Sequence, residues 1–141
     1  MSELLELHGV IEAPPDRVAE VLLDVRPGGR SPIAARGELA ETDPGDDFVV
    51  TRDGSRLTVS VDRARRTVAL QGEWWYRGVT SVEADPRGSR VVHRIFNVAP
   101  SHGWAVRFVS RGPLNAAPGT FAELMRGLGE LLGAAAWVED D

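Results

Sequence analysis

The chain has 141 residues, enough for one domain and short for two of ordinary size. Hydrophobic residues make up 43%, enough to fill a core unaided, and the lack of cysteine excludes disulfides, thiolate nucleophiles and cysteine metal sites. A formal charge of −5, with arginines scattered among acids, argues against the basic face that nucleic-acid binding needs.

The first residues carry Glu3 and Glu6 where a secretory leader would be basic and apolar. No apolar run reaches the ~18–20 residues that span a bilayer. The expectation is a cytoplasmic protein without stable membrane insertion. Residues 3–12 alternate, with Leu5, Leu7, Gly9 and Ile11 on one parity and Glu6, His8 and Glu12 on the other, which predicts a half-buried strand. Ala13, Pro14, Pro15 and Asp16 then open a helix, because proline suits a first turn and an acid its positive end. Val18, Val21, Leu22 and Val25 form its apolar stripe opposite Arg17, Glu20 and Asp24, and Pro27-Gly28-Gly29 is the expected stop. Segment 26–35 reads as a short second helix or an irregular loop.

Strand-like runs follow at 36–42, 47–52, 56–62, 67–76, 79–85 and 89–98. Asp53-Gly54 is a tight-hairpin signal, and Pro86-Arg87-Gly88 marks another turn. With the first strand this makes seven, six of them consecutive and therefore antiparallel. Segment 99–117 breaks the pattern; it adds a short strand or covers the sheet. From Pro118 a helical stripe returns in Phe121, Leu124, Met125, Leu128, Leu131, Leu132 and Ala135, opposite Glu123, Arg126 and Glu130. Such a helix would be ~30 Å long, about the length of a nine-residue strand, so it can lie along the sheet. Gly9, Gly72 and Gly78 would help the sheet curl, and Gly127, Gly129 and Gly133 on the last helix read as tolerated background or as positions that leave space for a ligand or close approach to the sheet.

Three stretches carry a family resemblance. Ile11-Glu12-Ala13-Pro14-Pro15-Asp16-Arg17-Val18 and on to Asp24, Gly88-Ser89-Arg90-Val91-Val92-His93-Arg94, and the closing helix 121–132 resemble the START/Bet v 1-like superfamily of polyketide cyclases and lipid-transport proteins. Two departures stand out: Ala19 replaces a frequent aromatic, and 26–35 lacks a frequent tryptophan. The resemblance implies an α+β helix-grip fold over 1–141, with a seven-stranded curved antiparallel sheet wrapped around the C-terminal helix. It also implies hydrophobic-ligand binding and, in some members, cyclase, aromatase or hydrolase activity.

Strand parity nominates the pocket residues. In 67–76, Val68, Leu70, Gly72, Trp74 and Tyr76 share the concave face, which points Trp75 outward under 99–117 or a second subunit. In 89–98, Arg90 and Arg94 belong in water, so Val91, His93, Ile95 and Asn97 face inward. Phe121, Met125 and Leu128 complete the ligand-binding set from the helix. His93 is the weak catalytic candidate; its alternatives are ligand contact or a structural histidine. The three histidines show no metal-ligand spacing, and no nucleophile elbow or phosphate loop occurs, so neither metal nor cofactor is expected. The expected function is binding of a hydrophobic or aromatic small molecule, lipid- or polyketide-like, with a homodimer left open. One alternative is a cyclase/dehydrase in which His93 moves protons beside Tyr76 and Asn97. Another is an interaction module like the co-chaperone branch of that superfamily, presenting Trp75 and Trp104.

Overall fold

The alternation of the first residues builds strand β1 (Ser2–Ile11) in the computed structural model, which describes residues 2–35, 37–39 and 46–139. A register shift between Glu3 and Leu5 sets Leu5, Leu7, Gly9 and Ile11 toward the helices and Glu6 and His8 away from them. Helix α1 (Pro15–Leu22) opens on Pro15 after an extended Pro14, and Asp16 in its first turn pairs with Arg66 at 2.7 Å. Val18, Ala19, Val21 and Leu22 are buried. The helix stops before the expected Pro27-Gly28-Gly29, at Leu23, whose N–H donates to the Ala19 carbonyl.

Segment 26–35 is an irregular loop rather than a second helix. The Asp24 carboxylate accepts from the Arg30 backbone N–H and guanidinium at 3.1 and 2.9 Å. The Asp24 carbonyl accepts from Ser31 N–H at 3.1 Å, and Ala35 N–H closes the loop onto the Val25 carbonyl at 2.8 Å. These bonds satisfy backbone groups that no helix or ladder supplies. The strand expected at 36–42 is described only over β2 (Glu38–Leu39); Arg36 and 40–45, with the Asp43-Pro44-Gly45 turn, lie outside the described residues.

Strands β3 (Asp47–Arg52) and β4 (Ser55–Asp62) meet at Asp53-Gly54, where φ angles of 52° and 81° give the two left-handed residues of the expected hairpin. Strands β5 (Thr67–Gln71), β6 (Tyr76–Asp85) and β7 (Gly88–Asn97) come next. The run 67–76 is therefore not one strand: it ends at Gln71, residues 72–75 turn the chain, and Tyr76 starts β6. Segment 99–117 adds no strand. It forms a 3-10 turn (Gly103–Ala105), helix α2 (Val106–Val109) and the start of helix α3 (Arg111–Leu132).

Helix α3 thus begins seven residues before Pro118 and carries that proline inside it. It ends at Gly133, whose φ of 62° is the left-handed conformation glycine adopts freely. Ala135, expected in the helical stripe, lies beyond this stop and its carbonyl accepts from Glu12 N–H at 2.9 Å. The chain then returns as β8 (Ala136–Glu139), pairing antiparallel with residues 8–11 of β1.

Among the described residues the sheet has eight strands rather than seven, all antiparallel, in the order β2-β3-β4-β5-β6-β7-β1-β8. Both long helices pack on its inner face, around a core that includes Ile11, Val18, Leu22, Val50, Val59, Val68, Val91, Met125 and Leu128. Gly9 lets α3 approach: a Cβ there would lie 2.7 Å from Met125 Sδ. On the outer face Arg94 pairs with Glu6 at 2.9 Å, and Arg90 and Arg87 pair with Glu139 at 3.2 and 2.8 Å. Among the described residues, no helix is long and apolar enough to cross a membrane.

Candidate functional site

The inner face is not filled evenly along α3. Over its second half Met125, Leu128 and Leu132 meet the sheet and pack solidly. Over its first half the facing positions are Pro113, Ala116, Ala117 and Thr120, all small. A cavity of about 290 Å³ remains between them and the sheet. Leu70 of β5, Tyr76 and Thr80 of β6, His93 and Ile95 of β7, and Ile33 of the 26–35 loop close it. Pro113, Ala116 and Thr120 are exposed and form its rim. A trough of about 590 Å³ toward β3 and β4 shares Ile33 and Thr120 with it.

Few polar atoms reach this space. His93 Nδ1 lies 2.8 Å from Thr80 Oγ1, and the imidazole stacks on Phe121 with centroids 6.2 Å apart. Thr80 is buried and has no other side-chain hydrogen bond among the described residues. With the Thr80 hydroxyl donating to Nδ1, the His93 proton sits on Nε2. Nε2 has no partner among the described residues and is not sealed from the cavity. Burial pushes the His93 pKa down to about 4, so the ring is neutral near pH 7. Among the described residues no carboxylate opposes that shift. Burial likewise raises the Tyr76 phenol above its usual value, keeping it protonated. Tyr76 folds back over Gly78, where a Cβ would lie 2.5 Å from the phenol oxygen. Two neutral donors therefore face an apolar hollow.

Of the residues nominated by parity, Leu70, Tyr76, His93, Ile95 and Phe121 come together around this cavity. Trp74 does not: it stands in the 72–75 turn, where strand parity has no meaning, and its indole donates to the Ser101 carbonyl at 3.0 Å. Trp75 is half-buried in the same turn, its ring edge-on to Tyr76 at 5.5 Å. Val91, Met125 and Leu128 face inward but are sealed in the solid half of the core. Asn97 turns to the backbone, donating to the Gly103 carbonyl at 3.3 Å and accepting from Ala99 N–H at 3.0 Å. Ile33, Thr80, Pro113, Ala116, Ala117, Thr120 and Leu124 join the lining without having been nominated. Thr80 carried a usable signal, because the turn after Asp85 pairs Asp85 with Gly88 and, counting back, Thr80 with His93. Pro113, Ala116 and Ala117 were hidden by reading Pro118 as a helix start. Among the described residues no cluster of His, Cys, Asp or Glu is placed to hold a metal ion.

The sheet order and the closing helix can be compared with solved structures. The di-domain ARO/CYC BexL matches with a TM-score of 0.56 at 16% identity, over 89% of this chain and 46% of that one. The Zhui aromatase/cyclase from a Streptomyces species matches with a TM-score of 0.51 at 19% identity, over 89% and 92% of the two chains. The chain has the START/Bet v 1-like fold. In this helix-grip arrangement the closing helix is α3, and the cavity lies under its first half. This chain spans 46% of BexL, whose two-domain length it does not match. No protein-family model matches the sequence, and no curated protein does.

Proposed function

We propose that residues 1–141 form one ligand-binding domain that holds a hydrophobic or aromatic small molecule between the sheet and the first half of α3. The observation that carries this reading is the cavity of about 290 Å³, apolar except for His93 Nε2, Tyr76 and Thr120. Its size is near the lower end for small-molecule sites, which suits a compact ligand. A neutral Nε2–H and a phenol both donate, so the ligand carries an accepting oxygen, a carbonyl or an ether, on its buried end. A solid interior would have favoured the interaction module, and the cavity supports a small-molecule ligand instead.

Catalysis of the cyclase/dehydrase type is the second reading, supported by a histidine and a phenol sharing one cavity in the fold of an aromatase/cyclase. Binding is favoured because a histidine held to about 4 is a weak base and no carboxylate among the described residues supports it.

Native mass spectrometry of freshly purified protein, followed by titration with 1-naphthyl methyl ketone, tests both. Binding of that ketone by the wild type and a loss of about tenfold or more in Ala117→Leu, which fills the cavity, is the expected result. Unchanged affinity in a folded Ala117→Leu protein removes the ligand from this space. A mass change in the bound molecule on incubation would instead favour turnover.

A further inference from the structure

From 86 to 122 the sequence has no Asp or Glu, although the chain carries 21 acids. Arg87, Arg90 and Arg94 in this stretch are matched by acids elsewhere on the outer face. Arg107 and Arg111 are exposed and have no carboxylate partner among the described residues. Arg107 instead lies over the Phe108 ring at 4.8 Å. Beside these two cations stand the three most exposed large apolar residues of the 99–110 segment: Trp104 at 71%, Phe108 at 57% and Val109 at 50%. They are not loose, because Val106 and Ser110 of the same turns are buried at 1% and 3% and fix α2 to the body. The segment leads directly into Pro113 and Ala116 on the cavity rim.

We propose that Trp104, Phe108 and Val109, flanked by Arg107 and Arg111, dock the molecule on an anionic lipid bilayer. The apolar side chains enter the interfacial layer, where an indole keeps its N–H in water and its rings in the acyl boundary. The two guanidiniums reach the headgroups, each adding a modest attraction that salt screens. Area argues for a lipid surface over a protein partner. The exposed parts of these two aromatics and one valine amount to less than roughly 500 Å², short of the ~800 Å² that each side of a stable protein complex contributes. Attraction at Arg107 and Arg111 favours the orientation with α2 toward the membrane, which brings the adjoining cavity rim beside it. This surface stands apart from the pocket residues and does not depend on what the pocket holds.

Sedimentation with vesicles tests it, using phosphatidylcholine alone and phosphatidylcholine containing about a quarter phosphatidylglycerol. The wild type should partition onto the anionic vesicles and much less onto the neutral ones. Both Trp104→Ser/Phe108→Ser and Arg107→Glu/Arg111→Glu should partition about tenfold or more weakly, with wild-type circular dichroism, since all four side chains are exposed. Partition that is absent in the wild type, or unchanged in either variant, overturns the proposal. So does concentration-dependent dimerisation of the wild type that Trp104→Ser/Phe108→Ser abolishes, because a second copy would then be what covers the patch.

Discussion

His93 shows how one residue's surroundings set its chemistry. Its ordinary pKa of 6.5 falls to about 4 in the folded chain because burial disfavours the charged ring. The unfolded chain then takes up the proton first, so His93 lowers stability as pH falls from about 6.5 toward 4 and has no effect above that window. The full shift corresponds to at most about 3 kcal/mol at one unit per ~1.4 kcal/mol. His93→Gln should therefore flatten the loss of stability between neutral and acid pH. Urea midpoints of both proteins at the two ends of the window would show it, and parallel curves would mean that His93 is not desolvated.

At the scale of elements, α3 carries a contradiction inside it. Pro118 lacks the N–H that would bond the Leu114 carbonyl, yet the helix runs from Arg111 to Leu132 without interruption. The proline stands between the half that lines the cavity and the half that fills the core. It is exposed, so its ring makes little packing contribution of its own. Pro118→Ala should raise stability by about 1–3 kcal/mol, read from thermal unfolding. A fall in stability would show that the helix requires the proline's bend to follow the sheet. Gly127 and Gly129 are explained by close approach on this same helix. Cβ atoms there would lie 2.9 Å from Pro32 and from the Ala134 carbonyl, so these glycines admit the 26–35 loop and the return to β8.

For the molecule as a whole, the distance between sheet and helix decides how much space is left. Gly9 sits under Met125 at the solid end, and a methyl group there would lie 2.7 Å from the thioether sulfur and 2.9 Å from Met125 Cγ. Gly9→Ala should cost about 1–3 kcal/mol by overpacking, and Met125→Val in the same chain should recover part of it, since residues in contact are not additive. Additive losses in the double variant would mean that the two do not meet.

Much of the frame is written locally. Asp53-Gly54 specifies the β3–β4 hairpin, the alternation of Arg90, Val92 and Arg94 with Val91, His93 and Ile95 specifies the faces of β7, and Pro15 with Asp16 opens α1. Each of these is a property of a few neighbouring residues, and it survives whatever the rest of the chain does. The turn at 72–75 and the early start of α3 were not legible in that way. The Trp74-Trp75 pair reads as strand by propensity, and Pro118 reads as a helix opening, until packing against the 99–103 segment and the sheet overrides both.

The sequence by itself determined the inward faces of β5, β7 and α3, and so put Leu70, His93, Ile95 and Phe121 on the inner side, whereas Tyr76 reached it as the first residue of a separate strand. Only the tertiary structure decided which inward residues border a hollow and which are sealed. Val91, Met125 and Leu128 face the same interior as His93 but stand where large side chains from both layers meet. Direction is carried by the period of a single element. Empty volume is a difference between two opposing surfaces, and it exists only once the helix has been set at its height above the sheet.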